Sequence, residues 1–234
     1  MARGARHTPG GFAYHVLNRA VARLPLFEKP ADYDAFLRVL HEALAQVPMR
    51  VLALVLMPNH WHCVLWPHGD GDLSALCRWL AHTHSMRWHA HYHTSGTGHI
   101  YQGRFKAFAV EGDDHLYAVC RYVERNPLRA NLVARAEHWR WGSLWRRVHG
   151  DDQPGPLLSP WPVPLPATWV EHVHAAQTEA ELAALRRSVR RGCPFGTADW
   201  QQQTAVRLGL AHTLRPLGRP KKAATEPPPT ASPE

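Results

Sequence analysis

The segment VLALVLMPNHWHCVLW, residues Val51–Trp66, contains two apolar runs on either side of a turn signal. The run over Arg50–Met57 is rich in Val and Leu, which predicts a buried β-strand. Pro58 and Asn59 are typical of a tight turn. The run over His60–Trp66 therefore predicts the partner strand of a β-hairpin.

The segments before and after this hairpin predict an alternation of strands and helices. The predicted elements are a strand over Phe12–Asn18, a helix over Asp32–Gln46, a helix over Leu73–His91, a strand over Ile100–Val110 and a helix over Asp113–Arg125. This β-α-β-β-α-β order with one added helix is typical of an α+β, ferredoxin-like fold (split βαβ, RRM-like). In that fold an antiparallel sheet carries helices on one face.

The composition indicates a globular protein with a polyanionic partner. The chain has 234 residues, 45% of them hydrophobic and 20% charged, so it is long and apolar enough to bury a core. A net charge of +8 favours a polyanionic partner. The four cysteines form no CxxC pair, which argues against a cysteine zinc site. Because no signal peptide is evident and no apolar run approaches the ~20 residues that span a bilayer, we expect a soluble, cytoplasmic protein with no membrane partner.

The excess positive charge lies near the C-terminus, where nine basic residues and one acidic residue occur between Arg186 and Lys222. Six prolines between residues 150 and 167 are typical of a semi-rigid connector. Thr178 and Glu181 then form a capping-box pattern for a helix that Gly192 can end. These features predict a first domain at 10–149, a Pro-rich linker at 150–168, a basic helical extension at 169–222 suited to a polyanionic partner, and a disordered tail at 223–234.

Two histidines of the hairpin are candidate metal ligands. His60 and His62 are alternate residues of a predicted strand, so both imidazoles project from the same face, with Trp61 behind them. Two imidazoles at this spacing can bind one divalent ion. The pattern alone is weak, because a chain with 18 histidines contains such pairs by chance.

A tyrosine and an asparagine form a second candidate pair. Tyr122 and Asn126 are four residues apart near the end of the last predicted helix, so they share a helical face. A tyrosine beside a metal site is a candidate nucleophile toward phosphorus, and its amide neighbour could supply a third ligand. The same pattern also fits a core aromatic at Tyr122 and a cap at Asn126 for a helix that starts at Pro127.

Four motifs taken together resemble those of single-tyrosine HUH transposases, and in particular of REP-associated tyrosine transposases. They are, in chain order, YHVLNR (Tyr14–Arg19), MPNHWHCVLWP (Met57–Pro67), YQGRFKAF (Tyr101–Phe108) and YVERNPLRANLV (Tyr122–Val133). The resemblance covers residues 10–149. GRPKK at residues 218–222, after a basic helical region, resembles the C-terminal extension of that family.

The resemblance implies cleavage of single-stranded DNA at hairpin-forming extragenic palindromes, through a 5′-phosphotyrosine intermediate, and subsequent strand transfer. It places His60, His62 and Asn126 as ligands of Mg²⁺ or Mn²⁺, and Tyr122 as the catalytic nucleophile. Because imidazole suits Mn²⁺ better than Mg²⁺, we expect Mn²⁺ to bind at least as tightly. A monomer and a homodimer both fit this interpretation.

Basic residues of the motifs and of the C-terminal extension are candidate contacts for DNA phosphates. They are Arg19, Arg104, Lys106, Arg186, Arg187, Arg190, Arg191, Arg219, Lys221 and Lys222.

Other interpretations stay open at this point. A non-catalytic, RRM-like binding module would stack bases on Phe105 or Phe108. A hydrolytic metalloenzyme would use a His-bound water and form no covalent adduct. A replication initiator or relaxase would share the HUH chemistry with another motif order. Tyr117 is a rival nucleophile, although the YxxxNP pattern favours Tyr122.

Overall fold

The computed structural model describes residues 7–151 and 156–215 of the chain. Its strands are β1 (Ala13–Arg19), β2 (Met49–Met57), β3 (His60–Pro67) and β4 (Lys106–Val110). Its α-helices are α1 (Pro30–Gln46), α2 (Asp72–Tyr92), α3 (Asp114–Glu124), α4 (Asn126–Arg129), α5 (Ser143–His149), α6 (Trp169–His174), α7 (Glu179–Arg191) and α8 (Ala198–Arg207). Short 3-10 helices occur at Val21–Arg23, Ala136–His138 and Ala211–Thr213.

No helix within these ranges is long and apolar enough to cross a membrane. Three of the predicted DNA-binding residues, Arg219, Lys221 and Lys222, lie outside the described residues, as does the tail predicted to be disordered at 223–234.

The four strands form one antiparallel sheet in the order β2-β3-β1-β4. β1 and β3 are the two central strands, and their register places Arg19 opposite His60 and Leu17 opposite His62. α1 and α2 pack on one face, where their apolar side chains form one buried cluster with those of the sheet. This α1/α2 face and the strand order confirm the predicted ferredoxin-like fold.

α3 lies on the opposite face of the sheet, so the expectation of helices on one face holds for α1 and α2 alone. Strand alternation gives the second face apolar side chains as well, including Val64 and Phe108. α3 covers them and forms a second buried cluster with residues of α6 and α7. We call this surface of the sheet the α3 face.

The fourth strand is shorter than the predicted segment Ile100–Val110. It begins at Lys106, because residues 102–104 bend away from the extended conformation. Tyr101 keeps only an isolated bridge with Ala20.

Residues from the second half of the chain cover both edges of the sheet. Beside β2, the Ser159 N–H donates to the Val51 carbonyl at 2.8 Å. Beside β4, the Phe195 N–H donates to the Ala109 carbonyl at 2.9 Å, and the Phe195 carbonyl accepts from the Glu111 N–H at 2.9 Å. These contacts occupy backbone groups that would otherwise be available for pairing with another chain.

The predicted cap and end of α7 are confirmed. Thr178 Oγ1 accepts from the Glu181 N–H at 3.2 Å, and the Glu181 carboxylate accepts from the Thr178 N–H at 2.7 Å. Gly192 ends the helix in the left-handed region, at φ 70°. Leu182 and Leu185 point into the buried cluster on the α3 face. The segment after residue 156 therefore shares a core with the first half of the chain.

Replacing Leu185 by Ala tests this shared core. Leu185 is fully buried, so we expect the substitution to lower the free energy of unfolding by about 2–5 kcal/mol. Urea unfolding followed by tryptophan fluorescence measures it. Val206→Ala on α8 is the control, because Val206 is 63% exposed and its loss should cost under about 0.5 kcal/mol. Equal midpoints for the two variants would contradict the packing.

Glu137 ties the 3-10 helix at Ala136–His138 to α6. Its carboxylate lies 2.7 Å from His174 Nε2 and 2.6 Å from Arg135 Nε. Burial alone would raise the pKa of Glu137, but the hydrogen bonds from His174 and Arg135 outweigh it and lower the pKa to about 2.

We expect Glu137 to stabilise the fold at neutral pH and to lose this contribution as pH falls. A carboxyl with a lowered pKa in the folded state contributes fully above its ordinary pKa of 4.5, and the contribution disappears as pH falls toward 2. Unfolding free energies measured from pH 7 to pH 3 should therefore fall more steeply in the native chain than in Glu137→Gln. Parallel curves would show that the carboxylate has no such role.

Candidate active site

The predicted histidine pair lies on the α3 face of the sheet. His60 and His62 are alternate residues of β3, and their ring centroids are 5.0 Å apart. Trp61, between them, is fully buried on the α1/α2 face. Its Nε1–H donates to Tyr101 Oη at 3.2 Å, and Tyr101 Oη lies 2.9 Å from His84 Nδ1. The residue between the histidines thus anchors the strand to the core.

The turn residue Asn59 fixes the protonation pattern of the His60 ring. Asn59 Nδ2 donates to the Arg23 carbonyl at 3.2 Å, which leaves its Oδ1 directed at His60 Nδ1, 2.7 Å away. A carboxamide oxygen can only accept, so Nδ1 of His60 carries the proton. The Nε2 lone pair of neutral His60 is then available to a metal ion.

His62 is held through its Nδ1 as well. Its partner is His15 on β1, whose Nε2 lies 2.9 Å away in a buried contact. His15 is two residues from Leu17, which stands opposite His62, so the contact is diagonal across the two central strands. When Nδ1 of His62 carries the shared proton, Nε2 of His62 is left for a metal ion.

The surroundings keep these rings neutral at physiological pH. Burial, together with the guanidinium groups of Arg19 and Arg129, lowers the pKa of His60 to about 4. Burial and the neighbouring His15 and His60 place the pKa of His62 well below its ordinary value. Neutral imidazole is the form that ligates metals.

Tyr122 and Asn126 reach the same region from α3 and the start of α4. The Tyr122 ring centroid lies 5.9 Å from that of His62 and 6.1 Å from that of His15. The Arg129 guanidinium lies 4.4 Å above the Tyr122 ring and donates to Asn126 Oδ1 at 3.2 Å. Asn126 is 4% exposed, and its buried Nδ2 has no hydrogen-bond partner in the described part of the chain. An ion would bind the oxygen of Asn126, which has two lone pairs and uses one of them for Arg129.

The predicted DNA-binding residues within the described ranges fall in three places. Arg19 stands opposite His60, and Lys106 pairs with Leu17, so both are on the α3 face near the histidines. Arg104 lines a groove of about 960 Å³ beside α2. The third set lies on α7, where Arg191 is half-buried and the others are exposed: Arg186, Arg187 and Arg190.

The rival nucleophile Tyr117 lies away from the histidines. Its hydroxyl donates to the Pro164 carbonyl at 2.6 Å, and its ring is 5.9 Å from that of Trp161. Tyr117 therefore contacts the proline-rich connector.

Sequence reasoning did not identify three residues that complete the site: His15, Asn59 and Arg129. Asn59 precedes the first histidine directly, and Arg129 follows Tyr122 by seven residues, two helical turns further on. His15 had no local signal, because its contact with His62 depends on the pairing of β1 with β3.

A second group of side chains is also close enough to hold an ion. Glu111, Asp113 and His115 are half-buried and bring one ligand atom each within 4.8 Å of the others. Asp113 Oδ1 already accepts from the His115 N–H at 2.8 Å at the start of α3, and Glu111 accepts from the Thr197 N–H at 2.7 Å. The sequence did not predict this group.

Comparisons with known proteins agree on one family. The model of the family described as "Transposase IS200 like" matches residues 10–126, half of the chain. A REP-associated tyrosine transposase of Escherichia coli (strain K12) is 28% identical over 103 residues, which cover 43% of this chain and 58% of that protein. A solved structure of a REP-associated tyrosine transposase bound to a REP hairpin superposes with a TM-score of 0.52 and 21% identity, covering 68% of this chain and 94% of that one. This structural likeness supports the fold.

Proposed function

Because the chain belongs to the IS200-like transposase family, we propose that it is a metal-dependent endonuclease and strand transferase of single-stranded DNA. It cleaves at hairpin-forming palindromic sequences through a 5′-phosphotyrosine on Tyr122. The observation that supports this most is that Tyr122 lies beside His62, the neighbour of His60, while Arg129 contacts both the Tyr122 ring and Asn126. A chance HxH pair on a strand would not be expected to lie beside a tyrosine that is followed, four residues later, by a buried asparagine.

The donor set fits a divalent ion. His60 and His62 would hold it through Nε2, and Asn126 through the Oδ1 lone pair that Arg129 does not use. When bound, Mg²⁺ or Mn²⁺ would polarise the scissile phosphate and offset the charge that develops on it. Two nitrogen donors and one oxygen favour Mn²⁺ over Mg²⁺.

Tyr122 supplies the nucleophile. Its oxygen forms a bond to phosphorus as the bond from phosphorus to the 3′ oxygen breaks, the phenolic proton is released, and the leaving oxygen gains a proton as a 3′-hydroxyl. Arg129 stacks on the ring of Tyr122 and brings positive charge to the place where negative charge develops. Attack of another 3′-hydroxyl on the phosphotyrosine reverses the step and joins strands.

The proposed substrate is a DNA hairpin with a single-stranded flank. The relative solved with a REP hairpin supports this choice, as do the basic side chains of β1, β4 and α7. We assign catalysis to residues 10–149, connection to 150–168, and gripping of the hairpin phosphates to 169–222, including Arg219, Lys221 and Lys222. The protein would act at the nucleoid in the cytoplasm, as a monomer or a homodimer.

The RRM-like binding interpretation has less support. It requires Phe105 or Phe108 to stack on bases, but these side chains are only 9% and 2% exposed. Phe108 instead packs with its ring centroid 4.8 Å from that of His15.

Replacing Tyr122 by Phe tests the nucleophile. The variant keeps the ring but lacks the attacking oxygen, so we expect DNA binding to remain and the covalent protein–DNA adduct to disappear. A denaturing gel of full-length protein, Mn²⁺ and a labelled oligonucleotide carrying the palindromes that flank its gene would show a protease-sensitive shifted band for the native chain only.

Tyr117→Phe is the matched control, because Tyr117 lies five residues earlier and faces Pro164. It should form the adduct at the native level. An adduct that survives Tyr122→Phe and is lost with Tyr117→Phe would transfer the role to Tyr117. Cleavage without any adduct would favour the hydrolytic interpretation.

Because arginines of α7 are exposed, we expect the affinity for DNA to fall as the salt concentration rises. Each phosphate contact contributes about 0.9 to the slope of log affinity against log salt. We expect the double substitution Arg186→Ala/Arg190→Ala to lower that slope by about 0.9 per arginine on the hairpin duplex. Fluorescence anisotropy at 50–200 mM salt measures it. Arg38→Ala, exposed on α1, should leave the slope unchanged. An unaltered slope in the double variant would remove α7 from the DNA-binding surface.

A further inference from the structure

His15 occupies the centre of the α3 face and is fully buried. Its ring centroid lies 4.8 Å from that of Phe108, 5.0 Å from that of His62 and 6.1 Å from that of Tyr122. It has no carboxylate partner among the described residues, and its Nδ1 is buried without a hydrogen bond there. Within the described part of the chain, its one polar contact is the 2.9 Å contact of its Nε2 with His62 Nδ1.

That contact can exist in two forms, because one of the two nitrogens must carry the shared proton. In the first form His62 donates from Nδ1, and its Nε2 keeps a lone pair. In the second form His15 donates from Nε2, and neutral His62 then carries its own proton on Nε2, where it cannot ligate a metal. Only the first form makes His62 a ligand.

We infer that His15 is a positioning residue: when an ion occupies Nε2 of His62, His15 accepts the proton of His62 Nδ1 and so holds His62 in its metal-competent tautomer. The inference rests on the proposed role of His62 as a metal ligand. His15 itself touches neither the ion nor the DNA in this scheme.

The two histidines of the motif are thereby held differently. His60 faces an amide oxygen that can only accept, so its tautomer is fixed whether or not an ion is bound. His62 faces a second imidazole, which can accept or donate. Occupation of Nε2 by an ion removes the second form and drives the shared proton onto His62.

The buried Nδ1 of His15 makes this choice sensitive to the ion. In the metal-competent form this atom is an N–H without an acceptor among the described residues, which carries a desolvation penalty. In the other form it is a bare lone pair. We therefore expect the metal-free protein to populate the second form, and we expect metal binding to shift the population to the first form.

Two variants of His15 separate its role as a hydrogen-bond acceptor from its role in packing. His15→Phe keeps the aromatic volume and removes the acceptor. His15→Gln keeps an oxygen that can accept from His62 Nδ1. Loss of a partner that orients a metal-bound histidine typically weakens metal affinity 10–100-fold. Calorimetric titration of full-length protein with Mn²⁺, without DNA, should show that loss for His15→Phe and an affinity within a few-fold of native for His15→Gln.

Long-range ¹H–¹⁵N NMR spectra of histidine-labelled protein read the tautomer directly, independently of activity. The His62 signals are assigned by their absence in His62→Gln. We expect His62 to be protonated on Nδ1 in the native chain loaded with Zn²⁺, a diamagnetic probe, and to carry its proton on Nε2 in a detectable fraction of the metal-free protein. At a Zn²⁺ concentration that saturates the native chain, His15→Phe should show a smaller shift of the His62 proton from Nε2 to Nδ1, because it binds the ion more weakly.

The controls distinguish the possible failures. His41→Phe, on α1 and away from the α3 face, should leave Mn²⁺ affinity unchanged. If the native chain binds no Mn²⁺, the proposed metal site fails. Native affinity in a folded His15→Phe chain, or a His62 tautomer unaffected by Zn²⁺, would overturn the role of His15 and leave the metal site standing. If His15→Phe does not fold, the tautomer spectra of the native chain and the affinity of His15→Gln still decide the matter.

Discussion

The pairing of β1 with β3 is the contact on which the site depends. The two strands form the centre of the sheet, and their antiparallel register sets Arg19 opposite His60 and Leu17 opposite His62. Because side chains alternate between the faces, the same register brings His15 diagonally to His62. A slip of one residue would send both histidines of the motif into the core and Trp61 to the α3 face. The buried Trp61 side chain, with its bond to Tyr101, stabilises the native register against such a slip.

Local patterns in the sequence were sufficient to predict the hairpin, the order of the strands and helices, and the shared face of His60 and His62. Alternation within one strand depends on local geometry alone, and apolar periodicity reports burial directly. The cap of α7 was predictable for the same reason, since Thr178 and Glu181 are three residues apart. The role of Tyr122 and Asn126 could be suggested only through a resemblance, because their helical spacing fits ordinary packing equally well.

The remaining features depend on contacts between distant segments. Nothing in the stretch from Asp114 to Glu124 indicates which face of the sheet its apolar side covers, and α3 lies opposite α1 and α2. β4 starts later than the segment from Ile100 predicts, because Tyr101 pairs with Ala20 only at an isolated bridge. The local sequence distinguishes His15 in no way from the other residues of β1. Its importance appears only when β1 is placed beside β3, since no residue near it in the chain is its partner.

The helix that carries Tyr122 is held by the C-terminal half of the chain. Glu124, 2% exposed, accepts from the Ser143 hydroxyl, from Arg147 Nε at 3.1 Å and from Trp169 Nε1 at 2.6 Å. Three donors satisfy a carboxylate that would be costly to bury alone. Next to Tyr122 in the chain, Arg121 pairs with Glu181 of α7 at 2.8 Å. α7, which carries the exposed arginines, therefore also contacts the helix of the proposed nucleophile Tyr122, so the stretches proposed for catalysis and for DNA binding are joined by direct side-chain contacts.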